Sequence, residues 1–247
     1  MLMRLLPSRY FPHWLRQEHP IVQRHLRKPL VDGINQILFG TTSVLFLLFG
    51  GLSLPMLYLL FSLIVLIQLA AGTVGKIHDE RERCTWDLIR VAPFSRRELL
   101  LSTWAASLWQ LNRTWLMPFY RLMQGIVIVG LMVFGLWLGN IPPHLSPMVL
   151  VSATLLIALQ PSVDMYFGGM IGLLAANMYH GRAGAQAIAV GVVLLYWGVW
   201  IALTGALFLS DLNQLTALHV GLVVGICLLL PSILGYSALR VAEVTMK

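Results

Sequence analysis

PMLYLLFSLIVLIQLAAGTVGKIHDERER, Pro55 to Arg83, decides the fold. Pro55–Gly75 carries no charge at all, and Lys76, Asp79, Glu80, Arg81, Glu82 and Arg83 then follow within a few residues. A helix rises 1.5 Å per residue, so about 20 mostly apolar residues cross a hydrocarbon core of roughly 30 Å. A switch this abrupt marks the end of a membrane span. The same rule gives six spans: Ile34–Leu52, Pro55–Gly75, Phe119–Leu138, Met148–Met178, Ala183–Leu209 and Leu215–Leu239. The first two form a tight pair that turns at Gly50-Gly51 and Pro55.

All 17 Lys and Arg residues fall on one side of these spans. Arg4, Arg9, Arg16, Arg24, Arg27 and Lys28 precede the first. Lys76, Arg81, Arg83, Arg90, Arg96, Arg97, Arg113 and Arg121 lie around the connection between the second and third. Arg182 separates the fourth and fifth, and Arg240 and Lys247 follow the sixth. The other three connections carry none. By the positive-inside rule this predicts a multi-pass protein of the plasma (inner) membrane with both termini cytoplasmic.

Composition agrees: 58% hydrophobic residues, 11% charged and a mean hydropathy of +0.79 describe one integral membrane domain of 247 residues. The net charge of +7 is then a topological signal, and no nucleic acid is expected as a partner. No cleavable signal peptide is expected, because the first thirty residues are polar and punctuated by Pro. Cys84 in a cytoplasmic loop and Cys227 inside the sixth span are expected to be unpaired thiols.

The expected organisation is a cytoplasmic or interfacial segment, 1–31, and a six-span domain, 32–247, whose one long polar loop is 79–115. Within EHPIVQRHLRKP, Glu18 to Pro29, Pro20 suits the first turn of a short helix. Ile21, Val22, Leu26 and Leu30 would face the bilayer, and Arg24, Arg27 and Lys28 its headgroups. His13, His19 and His25 are six residues apart and interrupted by Pro20, so they are not expected to share a metal. In the long loop, Asp79 is expected to cap one helical segment that Pro93 ends. Ser95-Arg96-Arg97-Glu98 then reads as a capping box opening a second, with Leu99, Leu100, Trp104, Leu108 and Leu111 as its apolar face. Such a loop is too hydrophobic to hang free. It lies on the bilayer or under a partner.

The fourth span is long and has Pro161 and Asp164 near its middle, so a kink or a split is expected there. Asp164 is the sole acid well inside a span. A carboxylate at the bilayer centre is costly and should face protein or water. Two readings stand: a candidate intramembrane polar site for substrate or proton, or a hydrogen-bonded structural partner of the Pro161 kink. Small residues spaced for close helix packing occur at Gly135/Gly139, Gly168/Gly172 and Gly221/Gly225. Trp and Tyr near the span ends, Tyr196 among them, fit an aromatic belt. No phosphate loop, nucleophile elbow, H-E-x-x-H or zinc-spaced Cys/His cluster is present. Neither catalytic residues nor a cofactor or metal site is therefore expected in this chain, and enzymatic activity is not.

HDERERCTWDLIRVAPFSRRELLLS, His78 to Ser102, resembles the loop after the second span in permease subunits of type-two ATP-binding-cassette (ABC) exporters. Glu80-Arg81-Glu82-Arg83, Thr85-Trp86-Asp87-Leu88 and Pro93-Phe94-Ser95-Arg96 stand where that family has its acidic-basic run, its Gly-Thr-aromatic-acid-Leu element and its Thr-Pro-hydroxyl-Arg element. EHPIVQRHLRKP is similar to the family's element before the first span, and NMYHGRAGAQA, Asn177 to Ala187, to its turn between spans four and five. Two features depart. Cys84 replaces the usual Gly, and Ala183–Leu239 is too short to hold re-entrant helices between spans five and six.

The resemblance implies an all-α, six-span permease subunit with an N-terminal interfacial helix and a cytoplasmic coupling helix between spans two and three. It implies a second permease subunit, identical or related, and a separate ATP-binding subunit that holds ATP and Mg. Glu80, Arg81, Glu82, Arg83, Thr85, Trp86, Asp87, Leu88, Ile89 and Arg90 would form the ATPase-coupling interface, with Trp86, Leu88 and Ile89 as anchors inside a charged rim. Export of a hydrophobic or amphipathic substrate is expected from a path with little fixed charge. An ATPase-independent transporter or channel using Asp164, and a structural membrane subunit without transport, are the other readings.

Overall fold

The computed structural model describes residues 12–26, 54–83, 94–114, 116–137, 146–209 and 217–246. Seven α-helices and a 3-10 turn at His13–Leu15 make up these residues, and no strand occurs among them. The helices are α1 (Pro20–Leu26), α2 (Leu54–Glu82), α3 (Arg96–Arg113), α4 (Leu116–Trp137), α5 (Ser146–Met178), α6 (Arg182–Leu209) and α7 (Ala217–Thr245). Three of them contain stretches long and apolar enough to cross a membrane: Tyr58–Glu82, Arg182–Ala202 and Val224–Thr245. α5 has the length, at 33 residues, but Gln160, Pro161, Ser162 and Asp164 interrupt its middle. The expected first span, Ile34–Leu52, lies outside the described residues, as do Cys84 to Pro93 and the connections 138–145 and 210–216.

Helix ends follow local chemistry. Pro55, Pro118 and Pro147 each sit in the first turn of a helix, where the missing N–H has no partner to lose. The Ser95 hydroxyl accepts from the Glu98 amide at 3.1 Å and caps α3. Pro161 does not split α5, which runs through it unbroken. The proline leaves the Ile157 carbonyl without its helical donor, and the Gln124 amide of α4 donates to that carbonyl at 2.6 Å. The kink is thus stitched to a neighbour.

α5 is the hub and packs against α2, α3, α4, α6 and α7. Two glycines let it come close to its neighbours. A Cβ on Gly172 would lie 2.5 Å from the Ala70 carbonyl oxygen of α2, and one on Gly169 would lie 2.0 Å from the Trp104 indole of α3. Of the expected small-residue pairs, Gly168/Gly172 is at such a contact, whereas Gly221 and Gly225 face open space and Gly135/Gly139 is not described.

The loop helix departs from expectation. α3 neither lies on a surface nor waits for a partner: thirteen of its eighteen residues are buried, from Leu99 to Asn112. α1 and the 3-10 turn cover one side, and α2, α4, α5 and α7 the rest. The Trp109 indole donates to the Leu15 carbonyl at 2.8 Å, and the Arg113 guanidinium to that of Leu26 at 3.3 Å. Ile21 and Val22, expected to face lipid, are buried in this same core. The apolar face of α3 is large enough to recruit the chain's own N-terminal segment, and burying both faces together removes more apolar surface from water than either alone.

Candidate functional site

Two polar assemblies stand out, one in the middle of α5 and one at the end of α2. In the first, Asp164 is 6% exposed. It accepts from the Tyr196 hydroxyl of α6 at 2.5 Å and from the Gln160 amide, one turn back, at 2.8 Å. The Gln160 amide also lies 3.0 Å from the Tyr196 oxygen, which closes a three-membered network. Phe167 packs on the Tyr196 ring with centroids 4.5 Å apart and holds its orientation. A buried carboxylate with two donors is satisfied rather than stranded.

Beside this network lies a cavity of about 40 Å³, lined by Tyr58, Ser62, Gln160, Asp164, Tyr196 and Trp197 among others. A water needs roughly 10–15 Å³ of such space, so the cavity suits a few waters and not an organic cargo. The Gln160 carbonyl oxygen and the Trp197 indole N–H have no protein partner and offer such waters their bonds.

The second assembly lies where α2 runs beyond its apolar stretch. The helix continues unbroken to Glu82, so Asp79 is an interior residue and not the expected cap. Its carboxylate accepts from Arg182, at the start of α6, at 2.9 Å. The Arg81 guanidinium donates to the Ala176 carbonyl at 2.6 Å and to the Asn177 side chain at 3.1 Å, a cation at the negative end of α5. Glu80 turns inward, 1% exposed, with Arg24 of α1 at 2.7 Å and His25 at 3.9 Å. Lys76 donates to Gln110 of α3, and Arg97 of α3 faces Glu243 of α7 at 3.7 Å. These basic side chains, spread over the sequence, meet at one end of the helical bundle.

The expected coupling residues therefore divide. Glu80 is buried and paired with the half-exposed Arg24, and Arg81 is bonded to the end of α5. Glu82 and Arg83 are exposed at the end of α2. Thr85, Trp86, Asp87, Leu88, Ile89 and Arg90 lie outside the described residues. Tyr196, read from sequence as a belt residue, is instead the partner of Asp164. Gln124, which mends the proline gap, carried no sequence signal at all.

No protein-family model, curated protein or solved structure matches this chain.

Proposed function

We propose that this chain is a membrane permease subunit of the ABC type, driven by a separate ATP-binding subunit. In this reading six helices cross the inner membrane, both termini are cytoplasmic, and a second permease subunit completes the path for a hydrophobic or amphipathic cargo. The observation that carries it is mechanical. The stretch that resembles a coupling loop, His78 to Ser102, begins in the last two turns of α2. The last two turns of α2 are bonded to α1 through Glu80, to α5 through Arg81 and to α6 through Asp79. A force applied at the end of α2 would therefore reach three other helices within two helical turns. Switching between inward and outward access needs that kind of short, stiff connection to a packed interface.

Co-purification in mild detergent tests it. The chain should retain an ATP-hydrolysing partner, and Trp86→Ala with Arg83→Glu should release it while membrane insertion persists. Retention of the partner by the double variant, or the absence of any ATPase from the native complex, would sink the proposal. Topology has its own check: single cysteines at His180 and Asn213, in a background lacking Cys84 and Cys227, should react with an impermeant reagent from opposite sides. The buried Asp164 beside a water-sized cavity favours one second reading, ATPase-independent movement of a proton or small ion. That reading requires activity in vesicles containing this chain alone.

A further inference from the structure

The 3-10 turn and the start of α1 bring two histidines onto the first turn of α3. The His13 Nδ1 lies 3.1 Å from the Glu98 Oε1, and the His19 Nε2 lies 3.6 Å from that oxygen. The two imidazole centroids are 5.0 Å apart at 77°, and one donor atom from each of the three residues falls within a 4.8 Å sphere of mutual distances. His19 is 1% exposed, and among the described residues neither of its ring nitrogens has a hydrogen-bond partner. Phe94 packs against its ring with centroids 5.2 Å apart and fixes its direction.

We infer that His13, His19 and Glu98 form a binding site for a divalent transition-metal ion, zinc by ligand type, which fastens the N-terminal segment to α3. Distance argues first. Nitrogen and oxygen ligands at about 2.0–2.1 Å from a tetrahedral zinc are roughly 3.3 Å apart; the two Glu98 separations, 3.1 and 3.6 Å, bracket that value, and the His13–His19 pair, within 4.8 Å, would close up on binding. A separation of 3.6 Å is too long for a well-formed hydrogen bond, so Glu98 offers His19 only a loose ion pair. An ion between them would satisfy both.

Burial argues second. A ring with two orphan nitrogens in a closed pocket is an anomaly that a metal on Nε2 half resolves. A metal binds the neutral imidazole through its lone pair. Two imidazoles and one carboxylate suit zinc, whereas magnesium and calcium prefer all-oxygen shells. The His13 side chain is 62% exposed, so the fourth position opens to solvent.

The chain spacing explains why this set is invisible in the sequence. His13, His19 and His25 do not converge, because His25 turns to Glu80. The third ligand comes from Glu98, 85 residues from His13.

The test uses the full chain purified in detergent, stripped with EDTA and titrated with zinc chloride against a chromophoric chelator. One tight equivalent per chain is expected, with visible absorption of tetrahedral type when cobalt(II) replaces zinc. His13→Ala, at an exposed position, and Glu98→Gln, of equal shape, should each weaken binding at least about tenfold. A control substitution, His180→Ala, should change nothing. Zinc should raise the unfolding temperature of the parent chain and not that of Glu98→Gln. The inference is overturned if no saturable equivalent binds, or if both variants bind zinc as the parent does. It is also overturned if Glu98→Gln shifts unfolding equally with and without zinc, for then the trio is only an ion pair.

Discussion

Replacing Gly172 by Ala tests the packing of α5 on α2 with a single methyl group. The added Cβ would lie 2.5 Å from the Ala70 carbonyl oxygen and 3.1 Å from the Thr73 Cβ. Carbon and oxygen in ordinary contact sit about 3.3–3.6 Å apart, so the helices would have to separate by roughly 0.8 Å. The obstructing atom is backbone and cannot rotate away. Overpacking of this kind costs about 1–3 kcal/mol, and a gap of that size forfeits a quarter to a half of each neighbouring dispersion contact. Against this, Ala in place of Gly in a helix interior gains about 1 kcal/mol. Because the obstruction is backbone the cost falls in the upper part of that range, and a net loss of up to about 2 kcal/mol is expected. Gly198 of α6, with nothing within 4 Å of its Cβ position, supplies the control. Gly198→Ala should show the propensity gain alone and be up to about 1 kcal/mol more stable than the parent. Unfolding midpoints in mixed micelles, measured on both variants side by side, should therefore move in opposite directions. If Gly172→Ala is as stable as Gly198→Ala, the close α2–α5 contact does not exist.

Asp164→Asn keeps an acceptor for Tyr196 and Gln160, whereas Asp164→Leu leaves the Tyr196 hydroxyl without its acceptor, at about 1–3 kcal/mol, and Gln160 with the Tyr196 oxygen alone. Asn should preserve the unfolding midpoint and Leu should lower it; transport abolished by Asn at unchanged protein level would assign the carboxylate a working role. At the end of α2, Arg24→Ala should destabilise more than Glu80→Gln, by roughly 2 kcal/mol, since it strips the nearest cation from a carboxylate 1% exposed, while Arg24 itself is 42% exposed. Equal losses in a double-mutant cycle would refute that asymmetry. With chelator present, the lowered pKa of His19 predicts stability that is full above pH 6.5 and lost as pH falls through its folded value, because the unfolded chain takes up the proton first. The unfolding temperature should fall on acidification below pH 6.5, and His19→Phe should flatten that slope; an unchanged slope would show that another group titrates.

The helices were legible because composition writes them directly. The α5 boundaries follow from an apolar run, with Asp164 as its one charge, between Pro147 and the Asn177–Arg182 turn, and α3 from Ser95 and its following Glu98. What covers each helix was not legible. The Leu99–Leu111 face reads identically whether it meets lipid, a partner or its own chain, since periodicity reports which face is apolar and not what lies upon it. Asp79 read as a cap, and Glu80 and Arg81 as a charged rim, whereas consecutive helical residues point about 100° apart. They reach α6, α1 and α5 respectively, and only the folded neighbours reveal those targets. The Asp164–Tyr196 bond joins residues 32 apart, and the Gln124–Ile157 bond joins residues 33 apart. No local rule connects such pairs.

The positions of these polar bonds along α5 bear on how the proposed permease could move. Near its middle, α5 is held to α4 by Gln124 at the carbonyl freed by Pro161, and to α6 by Tyr196 at Asp164. At its end it is held to α2 by Arg81 on Ala176 and Asn177. Between these anchors Gly168 and Gly172 meet α2 by steric contact alone, while α3 is held there by the Trp104 indole on the Met165 carbonyl at 3.3 Å. A pull on α2 would be resisted at both anchors and absorbed where interhelical contact is mere packing, which slides at lower cost than a buried hydrogen bond breaks. The proline gap adds a second soft point, because one backbone bond of α5 is already missing and its carbonyl is held by a side chain that can follow. Coupled motion would then shear α5 against α2 along the glycine face and bend it at Pro161, leaving the Asp164–Tyr196 bond intact as the pivot.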